Sequence, residues 1–407
     1  MNIKHLFFNK RFDTSKQEQV ETAKTADVDL SGKKAEVQNL NNLPNGFYSQ
    51  LEIESVSPVA KEAQKHDFKN YCGCLLGGAI GDALGWPVEF APLCSIKGKY
   101  GKEGIRDFDL KNGIAEITDD TQMTIFTADG LLKSAVKSFD NNKIPDIKDV
   151  YNSYQDWLNT QRQGFKPSDK GWVANIETLY ANRAPGGTCL GALSSGEMGT
   201  IENHINNSKG CGGVMRTAPA GLMYYKNPKI AFETGARCAA ITHGHPGGYL
   251  PGGVQAAIIA NLIQGKNLEE AVDNSVEILK TYDGNEDTTR LIKKAKELAN
   301  SDVDPEDAIK EIGEGWVGDE AIAIAVYCAL KSPDNFEKAI LMSVNHDGDS
   351  DSTGAITGNI LGAYLGIEAI PQKWISSVEL STELTQLAQD LYQNPNEIED
   401  YETRYKG

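Results

Sequence analysis

Two short segments concentrate acids and hydroxyls: Thr118-Asp119-Asp120-Thr121 and His346-Asp347-Gly348-Asp349-Ser350-Asp351-Ser352-Thr353. Thr118 has the side chain of a helix N-cap, and acids in a first turn suit the positive end of the helix dipole. On its own, the first segment reads as helix capping. Asp347, Asp349 and Asp351 have the opening spacing of a calcium-binding EF-hand loop. That loop needs Gly at its sixth position and Glu at its twelfth, where this chain has Ser352 and Gly358. If the two segments face one another across a cleft, Asp119, Asp120, Asp349 and Asp351 bring four negative charges together. They could not all stay ionised unaided. Two divalent cations would neutralise them, with the Thr118 and Ser352 hydroxyls completing hard-oxygen shells. That donor chemistry suits Mg²⁺ or Mn²⁺ rather than zinc.

Helices must position these segments. Windows at about 71–85, 119–138, 147–161, 228–243, 251–264, 267–280, 286–299, 319–330, 334–344, 353–365 and 380–393 have helical period or length. Ile125, Ala128, Leu132 and Val136, for example, share one helix face. Few stretches alternate with period two, and no run of strands alternates with the helices, which argues against a Rossmann fold. The expected fold is all-α: one multi-helix domain over 67–390, a polar N-terminal extension over 1–66 and a polar tail over 391–407. The extension reads as a disordered arm or linker, or as an arm that orders on a partner.

Glycine marks two of the helices. Gly73, Gly77, Gly81 and Gly85 recur every four residues, as do Gly354, Gly358, Gly362 and Gly366. Each glycine inside a helix costs roughly 1 kcal/mol relative to alanine. Stripes of them imply that backbones approach closely along those faces, as small-residue stripes allow between membrane helices. Asp82 and the short apolar lengths place these two helices in a soluble core instead, at the centre of the bundle.

Composition narrows the function classes. The 407 residues include 40 glycines, and 57 Asp+Glu against 40 Lys+Arg leave a net charge of −17, which disfavours nucleic acid and anionic membranes as partners. An aliphatic and aromatic share of 40% supports a sizeable core and excludes global disorder. The seven cysteines are scattered without framework spacing, which suggests a reducing cytoplasm; Cys72-x-Cys74 lacks the second pair that a zinc site wants. No charge-free apolar segment reaches ~20 residues, so no membrane span is expected. Leu6-Phe7-Phe8 is too short for a secretory signal.

Six motifs in order carry a resemblance: Gly77-Gly78-Ala79-Ile80-Gly81-Asp82-Ala83-Leu84-Gly85 with Glu89; Thr118-Asp119-Asp120-Thr121; Arg183-Ala184-Pro185-Gly186; Gly212-Gly213-Val214-Met215-Arg216; Thr242-His243; and Gly348-Asp349-Ser350-Asp351-Ser352-Thr353. Over about 70–370 the chain resembles the ADP-ribosylglycohydrolase family, which includes dinitrogenase reductase-activating glycohydrolase and the ADP-ribosylarginine hydrolases. The resemblance implies a compact all-α domain with a binuclear Mg²⁺ or Mn²⁺ centre that removes ADP-ribose from a protein side chain. By motif the metal ligands are Thr118, Asp119, Asp120, Asp349, Asp351 and Ser352, the same residues that the charge reasoning selects. Asp351 is the candidate ligand shared between metals. Glu89 is a metal-adjacent acid/base or gating residue, and Asp119 joins these two in the catalytic set. The Asp-Ser-Asp-Ser-Thr form resembles arginine-directed members more than serine-directed ones.

An anionic diphosphate on an acidic protein needs local devices. The Gly210–Arg216 segment, with Gly212 and Gly213, offers backbone N–H groups that can form a nest, and no Gly-Lys-Ser/Thr makes it a P-loop. Arg216 either meets substrate or pairs with core acids. The loop carrying Arg183 and Gly186 lies near substrate by resemblance. His243 reads as a polar contact at the substrate end, and His245 as surface or structural. Trp316 either stacks on a ligand ring or belongs to the core. The expected partner is an ADP-ribosylated protein. The extension raises an alternative, an immunity protein whose arm binds and blocks an ADP-ribosyltransferase toxin.

Overall fold

A computed structural model describes residues 66–393, 398 and 400–406. The expected extension therefore lies outside the described residues except for His66, and so does any partner contact made through it. Among the described residues there are seventeen α-helices and no β-strand, only isolated bridges such as Ala115 with Val378. None of the helices is long and apolar enough to cross a membrane. All seven cysteines are free thiols.

The helix over 286–299 has the expected bounds, and those over 119–138, 147–161 and 267–280 differ by a residue at one end or both: Asp119–Lys137, Ile147–Arg162, Leu268–Leu279 and Glu286–Ala299. The helix expected to continue to residue 243 ends at Ala240, and the next begins at Pro246, where proline at the first helical position needs no hydrogen-bond partner. Short helices at Leu93–Tyr100, Gly187–Ser194, Ala218–Met223, Pro305–Ile312 and Gln372–Ser377 carry too few turns for a periodic signal.

The two glycine-striped helices, Phe68–Gly85 and Ser350–Leu365, pack directly on each other. A Cβ on Gly77 would strike the Gly358 carbonyl, one on Gly81 the Gly354 carbonyl and one on Gly73 the Gly362 carbonyl; the reverse substitutions collide in the same way. The partner number falls as the residue number rises, so the helices run antiparallel. Their glycine faces let backbone meet backbone, and nearly every residue from Tyr71 to Gly85 and from Ser350 to Ala363 is buried. Gly366 borders this contact, its carbonyl carbon 2.8 Å from where a Gly73 Cβ would stand, but it has a second role: at φ +79° it ends the second helix in a left-handed conformation that glycine adopts without strain.

Within the segment read as a polar tail, Tyr401 and Tyr405 are buried. The Tyr401 hydroxyl donates to the Leu132 carbonyl at 2.8 Å, and Arg404 pairs with Asp390 at 2.7 Å. Two apolar rings spaced one helical turn apart carry the segment back onto the domain, a pattern too short to stand out in a polar stretch.

Candidate metal centre

Antiparallel packing of the striped helices puts the end of one against the start of the other. Gly85 closes the first helix, a short 3₁₀ turn (Trp86–Val88) follows, and the Glu89 N–H donates to the Gly85 carbonyl at 3.0 Å. The second helix opens at Ser350. Carboxylate oxygens of Glu89, Asp349 and Asp351 consequently lie within 4.8 Å of one another.

The Asp119–Lys137 helix brings the other acids. Thr118 caps it, its hydroxyl accepting from the Asp120 N–H at 3.2 Å. A second cap comes from outside. Asp82, on the first striped helix, accepts from the Thr118 N–H (3.0 Å to both oxygens), the Thr121 N–H (3.1 Å) and the Thr121 hydroxyl (2.5 Å). Asp82 thus pins the start of the Asp119-Asp120 helix to the helix that delivers Glu89. In the sequence Asp82 marks a soluble core and belongs to the first glycine motif, with nothing local to show that it anchors a second helix. The available signal was an acid inside a glycine-striped helix, where a buried charge needs several donors.

Asp119 is held from the opposite side by the loop at 183–186. Its N–H donates to the Arg183 carbonyl at 2.9 Å, and its Oδ2 accepts from the Gly186 N–H at 3.0 Å. Asp349 accepts from the Cys211 thiol at 2.6 Å, and its N–H donates to the Glu314 carbonyl at 2.9 Å. Asp351 accepts from the Ser352 N–H at 2.9 Å. Asp347, the third acid of its segment, accepts from the Leu93 N–H at 2.6 Å and is exposed.

Thr118, Asp119, Asp120, Asp349, Asp351 and Ser352 are all buried. Burial, with the backbone N–H of Gly186 opposing and the charge of Asp351 adding, pushes Asp119 up to about 8. Glu89 rises to about 10 through burial and then the charges of Asp351, Asp349 and Asp119. Burial first, and then neighbouring charge, holds Asp120 and Asp349 well above the carboxylate range; the charges acting on Asp120 are those of Asp351, Asp82, Asp119 and Asp349. The two acidic segments therefore do share one electrostatic neighbourhood, centred on Asp351. Asp120 Oδ2 and Glu89 Oε2 are buried without any hydrogen-bond partner. An oxygen-only donor set, mutual repulsion and two orphaned carboxylate oxygens together fit hard divalent cations.

Other expected contacts fall elsewhere. The Arg183 guanidinium is spent on Glu116 (2.7 Å) and Glu379 (2.6 Å); it is the residue's carbonyl that serves the site. Arg216 is fully buried, with its guanidinium 4.4 Å from the Tyr154 ring centre, 2.6 Å from the Thr242 hydroxyl and 3.2 Å from the Cys238 carbonyl. It is a core arginine, and its partners are a ring, a hydroxyl, a carbonyl and sulfur rather than acids. His243 is also buried, 2.8 Å from the Thr242 hydroxyl, and burial with the nearby Arg216 charge lowers it to about 3, so the ring is neutral. Its edge backs Gly212, where a Cβ would come within 3.2 Å of Cε1. Gly213 packs on the Gly248 carbonyl. His245 caps the Pro246–Ile263 helix, accepting from the Gly247 N–H. Trp316 is half-buried: its carbonyl accepts from the Cys211 N–H at 3.1 Å and its ring stacks on Phe90.

Comparison with known proteins places this arrangement. The family model described as ADP-ribosylglycohydrolase matches residues 63–400. The mouse protein named ADP-ribosylhydrolase ARH3 is 26% identical over 353 residues, covering 79% of this chain and 90% of its own length. The Pseudomonas putida protein named ADP-ribosylarginine hydrolase Tri1 is 24% identical over 339 residues, 82% of this chain and 81% of its own. A solved structure described as an ADP-ribosylglycohydrolase-related protein complex shares the fold, with a TM-score of 0.52 at 24% identity over 80% of this chain and 98% of that one.

Proposed function

The chain belongs to the ADP-ribosylglycohydrolase family, whose members cleave ADP-ribose linkages on modified proteins with the help of metal ions, and from that premise we infer that it removes ADP-ribose from mono-ADP-ribosylated arginine. The observation that carries the reading is the convergence of Glu89, Asp349 and Asp351 on one point, facing Asp119 and Asp120. The choice of arginine is supported by the Asp-Ser-Asp-Ser-Thr form and by the likeness to Tri1.

The bond to be broken joins ribose C1″ to a guanidinium nitrogen, and its cleavage passes through an oxocarbenium-like state. Thr118, Asp119, Asp120, Asp349, Asp351 and Ser352 would hold two Mg²⁺ or Mn²⁺ ions. Bound there, the cations would supply Lewis-acid contact to ribose hydroxyls and a water of lowered pKa. Asp351, whose charge bears on every other acid of the site, is the natural shared ligand. Glu89 Oε2, buried without a hydrogen-bond partner, would hand a proton to the leaving nitrogen or take one from water. The Gly187 and Gly212–Gly213 backbones offer N–H groups for the diphosphate, the first at the start of the Gly187–Ser194 helix, while the Gly186 N–H is held by Asp119.

The test is release of ADP-ribose from arginine-, serine- and O-acetyl-linked substrates, with and without EDTA. The arginine conjugate should turn over fastest and the activity should vanish with EDTA. Preferential cleavage of the serine conjugate would overturn the arginine assignment.

A further inference from the structure

Phe90 follows Glu89 directly and is 71% exposed, the most exposed large apolar side chain among the described residues. Its backbone sits at φ +61°, a left-handed conformation costly for a bulky residue. The turn around it is tightly built. The Ala91 N–H donates to the Val88 carbonyl at 3.0 Å, and the Leu93 N–H is fixed by Asp347. A strained, solvent-facing phenylalanine held this firmly calls for a reason other than core packing.

The Phe90 ring stacks on Trp316 with centroids 4.9 Å apart and planes at 19°. Trp316 belongs to a different segment that also borders the carboxylate cluster: a Cβ on the preceding Gly315 would stand 3.3 Å from Asp349 Cβ. The stack thus joins two segments that each border the cluster. The indole Nε1 donates to Glu314 Oε2 at 3.0 Å, which fixes an exposed carboxylate beside the rings. Aromatic faces with the Glu314 carboxylate beside them disfavour a diphosphate. They suit a planar cation, which gains from the ring face and from the Glu314 carboxylate together.

We propose that the Phe90–Trp316 stack with Glu314 is the subsite for the arginine side of the substrate, receiving the guanidinium and its stem while the ADP-ribose lies toward the glycine loops. This inference rests on the arginine reading above. The rings orient the leaving group and separate it from the nucleotide half, so the pair selects cationic linkages over neutral ones.

The experiment compares the wild type with Phe90→Ala, Phe90→Tyr and Glu314→Gln. It reads kcat and KM on an ADP-ribosylarginine peptide and, separately, inhibition by free ADP-ribose. Phe90→Ala should raise KM about five-fold, and Phe90→Tyr should restore it, because a tyrosine keeps the ring face. Glu314→Gln should raise KM about two-fold and weaken its salt dependence. Inhibition by ADP-ribose should be unchanged in all three. If ADP-ribose inhibition weakens as much as KM rises, the stack faces the nucleotide and the proposal is overturned. It is equally overturned if Phe90→Ala leaves KM unchanged. Failure of the wild type to cleave the arginine peptide would instead sink the arginine reading, and this subsite with it.

Discussion

Gly85 lies against Ser350 so closely that a Cβ on the glycine would run into the Ser350 carbonyl and the Asp351 amide. This contact is where packing becomes chemistry. The helix that ends at Gly85 turns directly into Glu89, and the helix that begins at Ser350 carries Asp351, so the glycine seam sets the distance between the acids.

Closing that seam with methyl groups should be destabilising despite better helix propensity. Gly77→Ala gains roughly 1 kcal/mol of propensity. It also forces a methyl into a backbone carbonyl, with overpacking that costs typically 1–3 kcal/mol or more and an axis shift that pulls Glu89 from Asp351. The expected outcome is a lowered urea midpoint and weakened metal binding. Gly191→Ala is the control: it is also helical but has open space around its Cβ, and it should be neutral or stabilising by up to about 1 kcal/mol.

Asp82→Asn should act on the metal centre without touching it. An amide cannot accept from all of the Thr118 N–H, the Thr121 N–H and the Thr121 hydroxyl, so the start of the Asp119–Lys137 helix loses its anchor. Groups that orient ligands typically cost about 10–100-fold in metal affinity when removed. Titration calorimetry with Mn²⁺ should show such a loss while circular dichroism shows unchanged helix content.

Removing metal should change how stability depends on pH. Asp82, Asp119 and Glu89 have folded values raised to about 7, 8 and 10, above those of an unfolded chain. Between the unfolded and folded values the native state binds more protons than the unfolded state, so stability falls as pH rises through this window. In EDTA the melting temperature should therefore drop between pH 5 and pH 9. Saturating Mg²⁺ or Mn²⁺ favours the ionised forms and should abolish or reverse the slope. A downward slope that persists unchanged in metal would argue against cation binding by these acids.

Asp351→Asn should separate stability from function. The Asp351 charge raises every neighbouring acid, so its removal should increase the melting temperature of the metal-free protein at pH 8. The same change should reduce EDTA-sensitive hydrolysis by about 100-fold or more, in line with the loss of a group that stabilises developing charge. A more stable and fully active variant would remove Asp351 from the centre.

Local features of the sequence determined a great deal about this protein. Helical periodicity, the four-residue glycine stripes and the paired acid-and-hydroxyl segments are properties of short windows, and they led to an all-α bundle and to the acids now found clustered around Asp351. Tertiary structure alone decided which polar residues serve the site and which serve the core. Arg183 and Arg216 look alike as arginines three residues from a glycine, Gly186 and Gly213. One is held by Glu116 and Glu379 and lends its carbonyl to Asp119, and the other is sealed against Tyr154 and Thr242. Asp82 became a cap for a helix 36 residues away, and Phe90 an exposed partner for Trp316. The physical reason is that a buried charge or an exposed ring takes its role from partners brought close only when distant segments pack, and in this chain the backbone contact of the two glycine helices determines which segments meet.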